Sequence, residues 1–145
     1  MKITNWLTLA PYFAQFKGQF GIEDYVFGTT DDILNRKNKV IRYPCLWLEF
    51  LGERVDDNDN SHYDIRLTIQ QNGGNQPREK DWTILYQLRQ TLERILKTMR
   101  GDSPNNLVFY KFNAKYDYKE RFAGDDELLV STEIAIGALK TCTDS

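Results

Sequence analysis

Little in this 145-residue chain is of the kind that builds a reactive centre. Its two cysteines, Cys45 and Cys142, stand far apart and cannot form the dense cross-linking of a small secreted scaffold. One histidine, His62, leaves a single candidate for any nucleophile–imidazole pair. The net charge of −2 supplies no basic excess to hold a phosphate backbone, which argues against a dedicated nucleic-acid binder; the one local basic cluster is 36-RKNK-39 with Arg42. No apolar run reaches the length of a membrane span. The hydrophobic N-terminus is broken by Asn5, Thr8, Pro11 and Gln15, a poor signal-peptide core, so the expectation is a soluble intracellular protein.

What the chain has instead is sheet-forming surface. The segments 107-LVFYKFNAKYDYK-119 and 127-ELLVSTEIAIGA-138 alternate in polarity and are joined by a charged, Gly-containing turn. In the first, Val108, Tyr110, Phe112, Ala114, Tyr116 and Tyr118 are set to one side, and Lys111, Asn113, Lys115 and Asp117 to the other. A period of two sustained this long is the pattern of a strand with one buried face. The same alternation runs through 62-HYDIRLTIQ-70, with Tyr63, Ile65, Leu67 and Ile69 inward and Asp64, Arg66, Thr68 and Gln70 outward. The preceding 40-VIRYPCLWLEFL-51 is almost continuously apolar, which predicts burial on both faces at its centre. The polar turn 53–61 makes these two an antiparallel hairpin.

Two segments carry the helical period. Ile3, Trp6, Leu7, Ala10, Phe13, Phe16 and Phe20 recur at three- and four-residue steps, ending at Gly18 and Gly21. Pro11 requires either a kink or a late start that puts it in the first turn. Asp81 caps a second helix running to Arg100, with Trp82, Leu85, Leu88, Leu92, Ile95, Leu96 and Met99 along one stripe; basic residues near its end complement the helix dipole and Gly101 stops it. Between residues 22 and 39, Asp24–Phe27 fits a short strand and Thr30-Asp31-Asp32 the start of a short helix. The expected architecture is a single α+β domain over 1–145, in helix–hairpin–helix–hairpin order, with helices packed on one face of a mainly antiparallel, four-stranded sheet.

The chemistry-bearing residues each have an ordinary reading beside the functional one. Asp57, Asp59 and Ser61 match the opening of a calcium loop, but His62 stands where its glycine belongs and Thr68 where its closing glutamate belongs, so Asp56, Asp57 and Asp59 read as a solvated turn or a partner contact. Asp102 with Asp117 and Lys119 outlines a Mg²⁺-dependent nuclease, yet Asp117 and Lys119 share a face with Lys111, Asn113 and Lys115, the common look of a solvated strand. Gly73-Gly74 lacks the Lys-Ser/Thr that a phosphate loop needs. In the turn 119–127, Phe122 is flanked by Arg121, Asp125 and Asp126; it either tucks over the sheet or enters a neighbouring subunit. No catalytic, cofactor or metal residue is expected. Cys45 reads as a small buried hydrophobe, with a Cys45–Cys142 bridge left open.

The element order, with 42-RYPCLWLEF-50 leading the sheet through a Tyr-Pro step, resembles the tail terminator or tail-completion proteins of long-tailed bacteriophages from about Asn5 to Ala138. The resemblance implies a non-enzymatic subunit forming a homo-oligomeric ring, often a hexamer. Such a ring caps the tail tube and contacts the head-side connector, in the cytoplasm of a bacterial host and then in the virion tail. It brings no catalytic residues and no cofactor. The residues expected at subunit or partner contacts are Asp56, Asp57, Asp59, Arg121, Phe122, Asp125 and Asp126. The other readings that the residues leave open are a monomeric adaptor or immunity-type protein using the acidic turn, and the nuclease.

Overall fold

A computed structural model describes residues 6–28, 42–74, 77–101, 107–111, 115–119 and 127–138. A 3₁₀ turn at Trp6–Thr8 leads into α1 (Leu9–Ala14), followed by strands β1 (Asp24–Gly28), β2 (Cys45–Val55) and β3 (Ser61–Asn72). A second 3₁₀ turn (Arg78–Lys80) opens α2 (Asp81–Gly101), and β4 (Leu107–Lys111), β5 (Tyr116–Lys119) and β6 (Glu127–Ala138) complete the fold. The class is α+β, but the sheet is larger than the four strands expected. Its order is β1-β2-β3-β6-β4, with β5 also pairing β6, and β1 runs parallel to β2 while every other pairing is antiparallel. The short strand read at Asp24–Phe27 is therefore an additional edge position, and the order is not simply helix–hairpin–helix–hairpin. The helix start expected at Thr30-Asp31-Asp32 lies outside the described residues.

The single strand expected over 107–119 is two. β4 and β5 both pair with β6, but Lys111 is registered with Ala135 and Tyr116 with Thr132, so five steps along one chain meet three along the other. A further register shift falls between Phe109 and Lys111. Extra residues of this kind break a period of two, because each flips the strand's phase relative to its partner. Val108 is accordingly registered with Gly137, and Tyr116 with Thr132.

The core lies on the sheet face that carries Leu46, Leu48, Tyr63, Ile65, Leu67, Ile69, Val130 and Ile136, all essentially inaccessible. α2 lies against β3 and β6, presenting Leu85, Leu88, Leu92, Ile95 and Met99 to this core. α1 adds Leu9, Tyr12 and Phe13, and the Tyr25 hydroxyl of β1 donates to the Ala10 carbonyl at 3.0 Å. The helix is six residues long, not the eighteen the apolar spacing suggested, and it starts late, leaving Pro11 in its first turn. Because residues 6–8 are 3₁₀ rather than α, the apolar stripe does not continue through them. Trp6 and Leu7 are exposed. The chain leaves α1 through residues with positive φ at Gly18 (84°) and Gly21 (80°). Phe20 also takes φ 55°, with its ring 6.3 Å from that of Phe16.

The opposite face of the sheet is buried at its centre as well, as the apolar run in β2 predicted. Val26, Cys45, Glu49, Thr68 and Gln70 are all below one-tenth exposed, although Thr68 and Gln70 were expected to face solvent. Cys45 is buried, with its Sγ 3.7 Å from the Leu46 carbonyl; Cys142 lies outside the described residues. No helix among the described residues is long and apolar enough to cross a membrane.

Two buried polar atoms, Trp47 Nε1 and Thr132 Oγ1, have no hydrogen-bond partner among the described residues. Thr132 has no exposure and is registered between Leu67 and Tyr116 on the core face. A desolvated hydroxyl without a partner is a net cost, so Thr132→Val, which keeps the shape, should stabilise the protein by about 1 kcal/mol in urea unfolding. Destabilisation of that size would show that the hydroxyl is satisfied in solution.

Candidate interaction surface

Three clusters of polar or aromatic side chains stand out. The first is a ladder on the outer sheet face. Glu49, Arg66 and Glu133 are directly registered across β2, β3 and β6. Arg66 donates from Nη1 to Glu49 Oε2 (3.2 Å) and from Nη2 and Nε to Glu133 Oε1 (2.6 and 3.2 Å). These bonds to Glu133, before the others, hold the guanidinium pKa above its ordinary value. Further along the same face, Glu127 accepts from the Tyr43 hydroxyl (2.9 Å) and from Gln70 Nε2 (2.6 Å). Each of these carboxylates accepts from the protein's own donors, which makes them structural ties between strands.

The second cluster is the tip of the β2–β3 hairpin, where the expected turn residues Asp56, Asp57 and Asp59 sit, all exposed. β2 runs on to Val55, so the turn is shorter than the sequence suggested, and it is built by Asp56. One carboxylate oxygen accepts from the backbone N–H groups of Asn58 (2.9 Å) and Asn60 (3.0 Å); the other lies 3.0 Å from His62 Nε2. An ionised carboxylate only accepts, so Nε2 carries the proton in that contact. Asp59 takes φ 62°, in the left-handed region that Asp tolerates better than most residues. The lone histidine thus serves the turn. No three His, Cys, Asp or Glu residues are grouped to hold a metal ion among the described residues.

The third cluster was not anticipated. Trp82 is 61% exposed and Tyr86 55%, one turn apart on α2, while Asp81 is buried. Placing Trp82 on the core stripe was wrong: the stripe runs Asp81, Leu85, Leu88, Leu92, Ile95, Met99, and Trp82 lies one residue, about 100°, around the helix from its first member. Arg89 continues the exposed flank. Its guanidinium carbon is 5.9 Å from the Tyr86 ring centroid and 5.3 Å from that of Tyr116 on β5, which ties the helix flank to the sheet edge. Glu93 bonds both Arg89 (3.4 Å) and Lys97 (3.2 Å). Burial, more than its charged neighbours, raises the Tyr116 phenol pKa, and Tyr118, two residues on, is 44% exposed. Among the described residues β5 pairs only with β6. Tryptophan, tyrosine and arginine side by side on an open edge is the composition that dominates binding energy at protein interfaces.

Of the other expected contact residues, Arg121, Phe122, Asp125 and Asp126 lie outside the described residues, between β5 and β6. Asp102 of the nuclease outline does too. Asp117 and Lys119 share a face of β5, and Asp117 Oδ1 is 3.8 Å from Lys115 Nζ with both side chains largely in solvent. No protein-family model matches the sequence, and a search of curated proteins finds no match.

The hairpin tip has a pH signature. Donation from His62 first, then from the Asn60 backbone, lowers the Asp56 pKa from 3.8 to about 2. A carboxyl group depressed on folding stabilises the fold above its unfolded pKa and loses that contribution as pH falls through the folded value. Stability of the wild type should therefore fall more steeply between pH 4 and 2 than that of Asp56→Asn, read as the difference in urea midpoints. Parallel pH profiles for the two proteins would show that the contact is not formed in solution.

Proposed function

We propose that the chain is a structural assembly subunit: a ring-forming tail terminator or tail-completion protein of a phage or prophage, which caps the tail tube and contacts the connector. The observation that carries this reading is the Trp82–Tyr86–Arg89 flank beside Tyr116 and Tyr118 on β5, whose other edge is unpaired among the described residues. Exposed large aromatics of this kind are depleted on the surfaces of proteins that act alone, because each leaves apolar area in water that association removes. Two further features suit a subunit that meets identical copies. The sheet ends in different strands at its two edges, β1 on one side and β4 with β5 on the other, so unlike surfaces are available to meet head to tail. Part of the pattern behind the family resemblance supports the reading: a Tyr43–Pro44 step into β2, a polar turn, β3 and the long α2 follow one another.

The exposed acidic hairpin tip favours a second reading, a monomeric adaptor that recognises a basic partner. The two differ in what the purified protein does alone. Light scattering behind size exclusion should give a discrete oligomer whose mass does not drift once formed, and whose population rises with concentration. Trp82→Ser together with Tyr86→Ser should lower that population at least tenfold at a fixed concentration while leaving unfolding stability within about 0.5 kcal/mol, since both residues are at the surface. A strict monomer at every concentration would defeat the ring and favour the adaptor.

A further inference from the structure

The chain leaves β3 through 72-NGG-74, the only place in the sequence where glycine follows asparagine. β3 ends at Asn72, which is exposed, and Gly74 is half-buried. Asn72 Oδ1 accepts a hydrogen bond from the Gly74 backbone N–H at 2.8 Å, which closes an Asx-turn. Gly74 takes φ 57°, a left-handed conformation that glycine adopts at no steric cost. Because the donor is an N–H, the side-chain atom facing it is the oxygen and not the amide nitrogen. The ring closed by this bond runs from Oδ1 through Cγ, Cβ and Cα of Asn72, across the peptide bond to Gly73 N, and on to Gly74. The carboxamide carbon and the nitrogen of the next residue are therefore held in one turn. The Gly73 N–H itself makes no hydrogen bond among the described residues.

We propose that Asn72 is a self-modifying site, at which the Gly73 nitrogen attacks the Asn72 carboxamide and converts the asparagine to aspartate and isoaspartate. Hydroxide takes the proton of the Gly73 N–H, and the nitrogen forms a bond to Cγ. The Cγ–Nδ2 bond breaks, the departing nitrogen leaves as ammonia with a proton from water, and a cyclic imide remains. Water then opens the imide: cleavage at Cγ leaves ordinary aspartate, and cleavage at the main-chain carbonyl leaves isoaspartate. The balance is one water consumed and one ammonia released. The fold assists the attack in two ways. Charge develops on Oδ1 as the new bond forms, and the Gly74 N–H, 2.8 Å away, stands at the distance of an oxyanion donor. Holding both reacting atoms in one turn also removes part of the entropy cost of bringing them together. Gly73 has no side chain to shield its nitrogen. It is buried, so base reaches its N–H as the end of β3 frays, and the ends of elements open at little free energy. Asn72 is registered opposite Glu127, whose carboxylate already binds the Tyr43 hydroxyl and Gln70. A carboxylate at position 72 sets like charges directly across the strand pair. Isoaspartate also lengthens the main chain where β3 gives way to the turn before α2, so the modification acts on the joint between sheet and helix.

The test follows the folded protein over time by mass spectrometry of the tryptic peptide running from Leu67 to Arg78. Fragmentation should place the mass gained when an amide becomes an acid on Asn72, with isoaspartate among the products. The rate should rise about tenfold from pH 7 to pH 8, in step with the Gly73 amide anion. It should also lie within about tenfold of the rate in the chain unfolded by guanidinium chloride, because only a strand end has to open. Asn72→Gln, whose longer side chain must close a larger ring, should abolish the gain at this position. An Asn72 that keeps its amide in the folded protein while the unfolded chain converts would overturn the site, as would a gain located on another residue. Asn72→Asp, which installs the charge without the altered backbone, should lower the urea midpoint; an unchanged midpoint would overturn the opposition to Glu127.

Discussion

The position of β3 between β2 and β6 is the constraint on which the rest of the molecule depends, and Arg66 fixes it from the polar side. Its guanidinium bridges Glu49 and Glu133, so one side chain ties three adjacent strands at one level of the sheet. On the other face Leu48, Leu67 and Thr132 mark the neighbouring level, and Phe50, Ile65 and Ile134 the next. The two faces enforce the same register independently. Slipping β3 by one residue would drive Arg66 into the core and strip Glu49, which is almost fully buried, of this donor. A slip by two would restore the apolar face but break the ladder. The hydrophobic row alone leaves that second error open; the charged row closes it.

Everything placed for interaction hangs on that register. With β3 fixed against β2, the hairpin projects beyond the reach of β1, which is registered only with Cys45–Glu49. The remaining length of β2 therefore has an open edge among the described residues, and it ends in the acidic tip. With β3 fixed against β6, the register of β6 sets β5 opposite residues 129–132 and brings Tyr116 under Arg89. The aromatic flank of α2 and the tip of the hairpin are thus held at opposite ends of one rigid strand, not on loops free to find each other.

Much of this was legible in the sequence because it follows from local periodicity. The alternation Tyr63, Ile65, Leu67, Ile69 places β3's inner face correctly, and the continuous apolar run of β2 signals its two-sided burial. The helix Asp81–Gly101 is where the 3.6-residue period puts it. The errors arise where long-range partners decide. A period of two across 107–119 is one pattern on paper, but two register changes against β6 divide it into β4 and β5. Thr68 and Gln70 look like solvent-facing residues, yet sit on a sheet face that is covered. Of the expected contact residues, the three turn aspartates are exposed at the hairpin tip, with Asp56 engaged in shaping it. The aromatic flank was missed because tryptophan at the start of an amphipathic helix fits its stripe to within one residue.

That one-residue ambiguity has a physical resolution. At the start of α2 the stripe can be filled by Asp81 or by Trp82, and transfer free energies alone favour burying the indole. The helix instead buries Asp81, at a position where the positive end of the helix dipole favours a carboxylate. The orientation is then fixed further down by Leu85, Leu88, Leu92, Ile95 and Met99, five side chains whose common direction lies about 100° from Trp82. Rotating the helix to hide one tryptophan would lift several of these out of the core, at about 1.5–3 kcal/mol each. Exposure of Trp82 and Tyr86 is therefore a consequence of satisfying the rest of α2. Only a second surface brought up from outside, and not any rearrangement of this chain's own core, removes that apolar area from water.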